Sequence, residues 1–194
     1  LILVGPKLDN DDIVRASAVV PTVVVASGRD NPGADTITTD DERGAALAVQ
    51  HLVQLGHTDI VHIDGAANIS SRARSHGYEK AMRSLGLEPR TLRGGDDEAD
   101  AEAAIVDLAE TDSMPTAIFA FNDLVAAGAL STLEAAGLRV PDDVSVVGYD
   151  NTFIAELNHM SLTTVNQPRD QMGQLAIRTV LERIEDDRTE PTRI

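Results

Sequence analysis

Short apolar runs alternate along this chain with longer stretches in which apolar residues recur every three or four positions. The short runs "LILVGP" at the start, "TVVVAS" at 22–27, "DIVHIDG", "TAIFAF", "DVSVVGYD" and "SLTTV" predict strands, and "RTLRGG" predicts a shorter one. The periodic stretches predict helices over Asp9–Val19, Ser71–Leu85, Glu98–Glu110, Leu124–Ala136 and Arg169–Ile184. One more helix is marked at both ends. Thr39 followed by Glu42 makes a capping-box pattern, Leu47, Leu52 and Leu55 supply an apolar side, and Gly56 ends it, as Gly86 and Gly137 end two others. The Pro-, Gly- and Asp-rich connection "SGRDNPGADT" at 27–36 reads as a loop, and no fixed-period repeat or low-complexity tract is visible.

Strands separated by helices of about 10–15 residues imply crossover connections and a mainly parallel sheet covered on both faces, an α/β fold. In such sheets ligands bind beyond the carboxyl ends of the strands, where loops present side chains and helix N-termini present free N–H groups. Asn122 stands where "TAIFAF" gives way to a helix, while Asp64 follows "IVHI" and Asp150 follows "VSVVGY". The three are expected on one rim. Each also has a local role open to it: Asn122 and Asp64 can cap helices, Asn151 can cap beside Asp150, and Asp123 suits a helix start, where the macrodipole favours a carboxylate.

Composition narrows the function classes. A chain of 194 residues can bury roughly 70% of its unfolded surface, enough for one good core or two small lobes. Its 42% hydrophobic and 25% charged residues match ordinary globular domains; no apolar run approaches the ~18 residues of a membrane span, and no secretory signal is visible. With no cysteine there is neither a disulfide framework nor a thiolate metal site. Acidic residues outnumber basic ones 32 to 16, and a formal charge of −16 repels a phosphate backbone, so this stretch alone is not expected to bind DNA. Leu1 lies inside an apolar run and Ile194 just after "RTEPTR", so neither end reads as a natural terminus.

Catalytic signatures are missing: there is no GxSxG elbow, no phosphate loop ending in Gly-Lys-Ser/Thr, no HExxH and no GxGxxG. The five histidines, at 51, 57, 62, 76 and 159, lack metal-ligand spacing. His57, after Gly56, is expected to serve a helix C-terminus, and His62 to lie on a strand surface. Neither catalysis nor a metal or other cofactor is expected. Asn68-Ile69-Ser70 matches a glycosylation sequon, a pattern short enough to occur by chance.

Four stretches taken together carry more information than any of these motifs: "TTDDERGAALAVQHLVQLGHTDIVHIDG", "SSRARSHGYEKAMRSLGLEP", "PTAIFAFNDLVAAGALSTLEAAGLRVPDDVSVVGYDN" and "LTTVNQPRDQMGQLAI". In order and spacing they resemble the lactose-repressor/galactose-repressor (LacI/GalR) family over nearly the whole chain. The resemblance implies a periplasmic-binding-protein-like effector core of two lobes, each with a mainly parallel sheet flanked by helices. It further implies that the helix-turn-helix DNA-binding domain and the first part of the N-terminal lobe are absent from this sequence, that lobe being represented by 1–40 and 167–194. The C-terminal lobe would span 41–166. Crossings between the lobes then fall at Thr39 to Asp41 and at Asn166 to Pro168, and these four residues are hinge candidates.

Carried over position by position, the resemblance nominates Arg74 in "RARSHGY", Asn122 in "FND", Asp150 in "GYDN" and Gln167 in "VNQP" as effector contacts, with Asp40 as a further candidate and Arg72 at the edge of the cleft. The chemistry is coherent, since a guanidinium fork and a carboxylate can each hold two neighbouring hydroxyls while an amide both donates and accepts. For Arg74 the alternative is a salt bridge, and for Gln167 a hinge hydrogen bond. Many relatives place a stacking aromatic after the strand that reads "TLRGG" here, whereas this chain has Gly95, Asp96 and Asp97, so stacking on a ligand would need a residue from the missing segment or Phe121 or Phe153.

By resemblance, then, the chain is expected to be the core of a cytoplasmic, ligand-responsive transcriptional regulator. Its partners would be a small polar effector such as a sugar, operator DNA through the missing domain, and a second copy in a homodimer, with no membrane. The rival is a solute receptor of the same fold serving an ABC transporter, from which an upstream helix-turn-helix rather than a signal peptide would distinguish it. On the sequence alone, Arg74→Ala or Asp150→Ala should remove effector binding and leave the fold standing.

Overall fold

The apolar runs become strands and the periodic stretches become helices in the computed structural model, which describes residues 1–6, 8–27, 31–65, 69–95, 97–109, 113–185, 188 and 190–194. In chain order the elements are β1 (Ile2–Val4), α1 (Asn10–Ser17), β2 (Val23–Val25), β3 (Asp35–Ile37), α2 (Asp41–Gln54), β4 (Ile60–Ile63) and α3 (Ile69–Ser84). They continue as β5 (Arg90–Leu92), α4 (Glu98–Ala109), β6 (Ala117–Ala120), α5 (Asp123–Ala135), β7 (Ser145–Asp150), β8 (Thr163–Asn166) and α6 (Arg169–Glu185). The chain divides into two units, one of Leu1–Thr39 with Pro168–Ile194, the other of Asp40–Gln167. The sequon asparagine Asn68 and Asp96 lie outside the described residues.

In the first unit β1, β2 and β3 form a parallel sheet in that order. Alternation along β2 sends Val23 and Val25 to the face covered by Met172, Ala176 and Val180 of α6, while Val24 meets Ile13 of α1 and Ala34. Strand β3 corrects the reading of 27–36 as a loop: Asp35 and Thr36 belong to a buried strand. A single apolar residue, Ile37, was too weak a signal. What holds Asp35 inside is charge pairing: its fully buried carboxylate accepts from Arg183 Nη1 (3.1 Å), Arg188 Nη1 (2.9 Å) and the Thr192 N–H (2.6 Å). Backbone bonds from Thr36 to Thr192 and between Thr38, Ile194 and Thr36 lay the last residues along β3.

The second unit is a five-stranded parallel sheet in the order β5-β4-β6-β7-β8. Its central strands β4 and β6 are buried at every position because both faces of the sheet are covered. In β6, Ala117 and Phe119 face a core built with α2 and α3 (Ala45, Ala48, Val49, Leu52, Tyr78, Met82), while Ile118 and Ala120 face one built with α4 and α5 (Ala104, Ile105, Leu108, Val125, Ala129, Leu133). The glycines that end α2, α3 and α5 take left-handed φ values of 97°, 72° and 79°, as the sequence required.

Three local expectations are corrected. The cap of α2 is Asp40, whose carboxylate accepts from the Arg43 N–H at 2.9 Å, one residue later than the Thr39 pattern indicated. On that helix Leu47 and Leu55 are exposed, and the buried stripe is Ala45, Ala48, Val49 and Leu52. His62 is fully buried, stacked on Phe119 with centroids 4.7 Å apart and bonded through Nδ1 to the Phe119 carbonyl (2.9 Å). Burial pulls its pKa down to about 4, with Arg74 adding to the effect and the Phe119 carbonyl opposing it. His57 bonds Thr116 Oγ1 at 3.0 Å.

Burial alone would push the Asp35 carboxyl upward, but its bonds from Arg188, Thr192 and Arg183 outweigh that and hold it below the ordinary range. A depressed carboxylate contributes stability above its unfolded pKa and loses it as pH falls through the folded value. Asp35→Ala is therefore expected to lower the unfolding free energy by about 3 kcal/mol at pH 7, with a smaller deficit in acid. Chemical denaturation at pH 7 and pH 3 measures both; a deficit of equal size at the two values would contradict the pairing.

Candidate functional site

Strands β4, β6 and β7 are neighbours and run parallel, so Asp64, Asn122 and Asp150, which follow or end them, lie at one edge of the second unit's sheet. The residue that joins this edge together is Arg74, from the second turn of α3. Arg74 is 4% exposed, and its guanidinium makes three bonds: Nε to Asp41 Oδ1 (3.0 Å), Nη1 to the Phe121 carbonyl (2.7 Å) and Nη2 to Asp150 Oδ1 (3.2 Å). Its carbon lies 3.6 Å from the Tyr149 ring centroid and 4.7 Å from that of Phe121, close enough for both π faces to attract the charge. Helix α3 comes near enough to place Arg74 on Asp41 because Gly77 meets the Glu42 backbone, where any side chain would collide.

Asp150 ends β7 with φ at 103°, followed by Asn151 at 53°, two successive non-glycine residues in the left-handed region. Its Oδ1 accepts from Arg74 and also from Gln167 Nε2 at 2.8 Å. No described residue bonds Oδ2, and the side chain is 29% exposed. Burial raises this carboxyl above the ordinary carboxylate range; Arg74 and Gln167 pull it back, and the charges of Asp123 and Asp41 add to the rise. A group raised in this way stabilises the fold most below its unfolded pKa and loses that contribution as pH rises through the folded value. Holding Asp150 ionised at neutral pH thus costs folding energy.

The residues nominated from sequence fall into three groups. Arg74, Asp150 and Gln167 are brought together, with Asp41 as a fourth member. Asn122 caps α5, its Oδ1 accepting from the Val125 N–H at 2.8 Å, and it directly follows the Phe121 carbonyl that Arg74 holds. Asp40 caps α2 and is exposed, Asn166 accepts from Asn151 Nδ2 (3.0 Å), and Arg72 is exposed on α3. Asp64 turns to the neighbouring loop, accepting from the Gly94 N–H at 2.8 Å. Of the aromatics considered for stacking, Phe121 already lies under Arg74, and Phe153 is 72% exposed.

Sequence reasoning placed Asp41 at a hinge and missed it as an Arg74 partner; Tyr149 was missed altogether. The aromatic-acid pair "YD" at a strand end was the available signal. The salt-bridge alternative for Arg74 is realised, but buried, where one partner's loss leaves uncompensated charge. Asp41 is the second residue of its unit and Gln167 the last, so Asp41–Arg74–Asp150–Gln167 runs between the two points where the chain enters and leaves.

A parallel sheet covered by helices on both faces fits a domain of the periplasmic-binding-protein type, and residues 49–194 match the family model described as a periplasmic binding protein-like domain. The chain belongs to the LacI/GalR family. The crystal structure of a LacI transcriptional regulator from a Rhodococcus species superposes with a TM-score of 0.92 at 36% identity, covering 100% of this chain and 73% of that one. A LacI family regulator from Enterococcus faecium with bound ribose superposes at 0.81 with 29% identity, covering 95% and 70%. The HTH-type transcriptional repressor PurR of Aliivibrio fischeri is 37% identical over 180 residues, which is 90% of this chain. The chain spans about half (53%) of that relative's length.

Arg74 is too deeply built in for the expectation that its removal leaves the fold untouched. Arg74→Ala strands Asp41 and Asp150, and the unfolding free energy should fall by about 3–5 kcal/mol. Urea denaturation reads this directly; an unchanged midpoint would mean that the guanidinium is solvated rather than buried.

Proposed function

We propose that this chain is the effector-binding core of a ligand-responsive transcriptional repressor, and that a small, hydroxyl-rich effector binds on Asp150, Arg74 and Gln167. The observation that carries the reading is the state of Asp150: one oxygen is anchored by Arg74 and Gln167, while the other is unclaimed by any described residue on a partly exposed side chain. Such a carboxylate is a fixed acceptor for a hydroxyl or N–H donor. Three of the five guanidinium N–H groups of Arg74 are engaged within the protein, so the effector would meet an arginine already oriented. The ribose held by the Enterococcus faecium relative supports a polyhydroxylated ligand, and the repressor function of the Aliivibrio fischeri relative supports regulation.

In this reading the effector disturbs a chain of bonds whose ends, Asp41 and Gln167, adjoin both crossings between the units. A ligand that favours one arrangement of these ends shifts the equilibrium by its difference in affinity, and a coupling of about 1–3 kcal/mol suffices. The response would pass to helix-turn-helix domains outside this sequence, paired in a homodimer so that their separation fits two operator half-sites. A regulator of this kind works in the cytoplasm. The formal charge of −16 agrees with DNA contact being left to the other domain.

A thermal-shift screen of sugars, nucleosides and purine bases on the full-length regulator tests the reading. Ligand at a hundred times its dissociation constant adds about 2.7 kcal/mol of stability. Asp150→Ala should abolish the shift, and full retention of the shift by that variant would overturn the assignment. Protonation removes the acceptor, so affinity should also weaken as pH is lowered through the raised pKa of Asp150.

A further inference from the structure

Asp123 bonds none of Arg74, Asp150 and Gln167, yet it is 1% exposed and accepts three bonds at short range. The Thr152 N–H (2.6 Å) and Thr152 Oγ1 (2.8 Å) donate to its Oδ2, and Thr164 Oγ1 (2.6 Å) donates to its Oδ1. The same Thr164 oxygen accepts from the Asn151 N–H at 3.3 Å. These donors come from the turn just beyond Asp150 and from β8, whereas the acceptor stands in the first turn of α5. Room for the carboxylate is made in β7 by Gly148, where a Cβ would sit 2.7 Å from Asp123 Oδ1. A helix-start carboxylate serving only its own helix would face that helix's N–H groups, but the three bonds that Asp123 accepts from Thr152 and Thr164 all run to other elements.

We propose that Asp123 is the positioning residue for Asp150: it clamps the strained turn at Asp150 and Asn151 so that the Asp150 carboxylate meets Arg74 on one oxygen and presents the other to the effector. The inference rests on the reading of Asp150 as an effector contact. Its physical basis is the backbone. Two consecutive non-glycine residues with φ of 103° and 53° hold that conformation only where their surroundings impose it. The bonds to Asp123 begin at the very next residue, Thr152, and include the strand that pairs with β7 at Asp150 and Asn166. Without the clamp the turn relaxes toward negative φ, which swings the Asp150 side chain away from Arg74.

The test compares crystal structures and melting temperatures of the unaltered chain, Asp123→Asn, and Asp123→Asn combined with Asn151→Gly. The amide in Asp123→Asn replaces one of the two accepting oxygens by an NH2, so either the Thr152 donors or the Thr164 hydroxyl loses its acceptor. The expected result is a lower melting temperature with Asp150 moved beyond hydrogen-bond distance of Arg74 Nη2. Adding Asn151→Gly, which takes positive φ without cost, should bring Asp150 back toward Arg74. A purely structural Asp123 would lower the melting temperature and leave the Asp150–Arg74 pair in place, with no rescue by glycine, and that result would overturn the proposal. Should Asp123→Asn fail to fold, Thr152→Val and Thr164→Val each remove one donor without adding a polar group, and an unmoved Asp150 in both would overturn it equally. The readout is a distance in the ligand-free protein, so it is independent of whether Asp150→Ala abolishes effector binding.

Discussion

A guanidinium buried among two carboxylates, a main-chain carbonyl and two aromatic rings is the constraint on which the second unit depends. Taking the charge of Arg74 out of water costs several kcal/mol, and only close, well-directed partners repay it. Those partners come from four places in the sequence: the start of α2, the end of β6, the end of β7 and the tyrosine one residue earlier. One side chain therefore fixes how helices α2 and α3 sit against the carboxyl edge of the sheet. An apolar core alone would tolerate small slips that this arrangement does not.

The same arrangement makes the edge useful at some expense to stability. Burial shifts the Asp150 carboxyl toward its neutral form, and its backbone stands at a positive φ that non-glycine residues rarely adopt. Both costs are borne by neighbours: Arg74 and Gln167 hold one oxygen, and Asp123 holds the turn. Sites that bind ligands commonly keep such strain, since relaxing it would spend the acceptor on the protein itself. In the first unit the buried Asp35 has both carboxylate oxygens bonded, by two arginines and a backbone N–H, which fits a role in holding α6 and the last residues to β3.

Much of the fold was legible in the residues. Glycines marked three helix ends, and the short apolar runs separated by helices read as strands of a mainly parallel sheet covered on both faces. Strand β3 was not legible, because its burial is secured by ionic partners roughly 150 positions away in the chain, at Arg183 and Arg188, and no local pattern encodes such a pairing. His62 was misplaced for a related reason: in a two-sided sheet a polar residue cannot be assigned to the surface by its polarity. The family resemblance nominated Arg74, Asp150 and Gln167, which the fold brings into contact, but it was silent on Tyr149 and Asp123. Those two act through other side chains, and apart from the "YD" pair at the end of β7 their roles are written in three-dimensional contacts.

The most direct test of the account is a double-mutant cycle between Asp41→Asn and Gln167→Ala, repeated with Arg74→Met. These two residues are linked only through Arg74 and Asp150 in the bonds described above. With Arg74 present their effects on unfolding free energy should fail to add by at least about 0.5 kcal/mol, and with Arg74→Met they should add. Simple additivity in both backgrounds would contradict the claim that one buried arginine ties the two crossing points together.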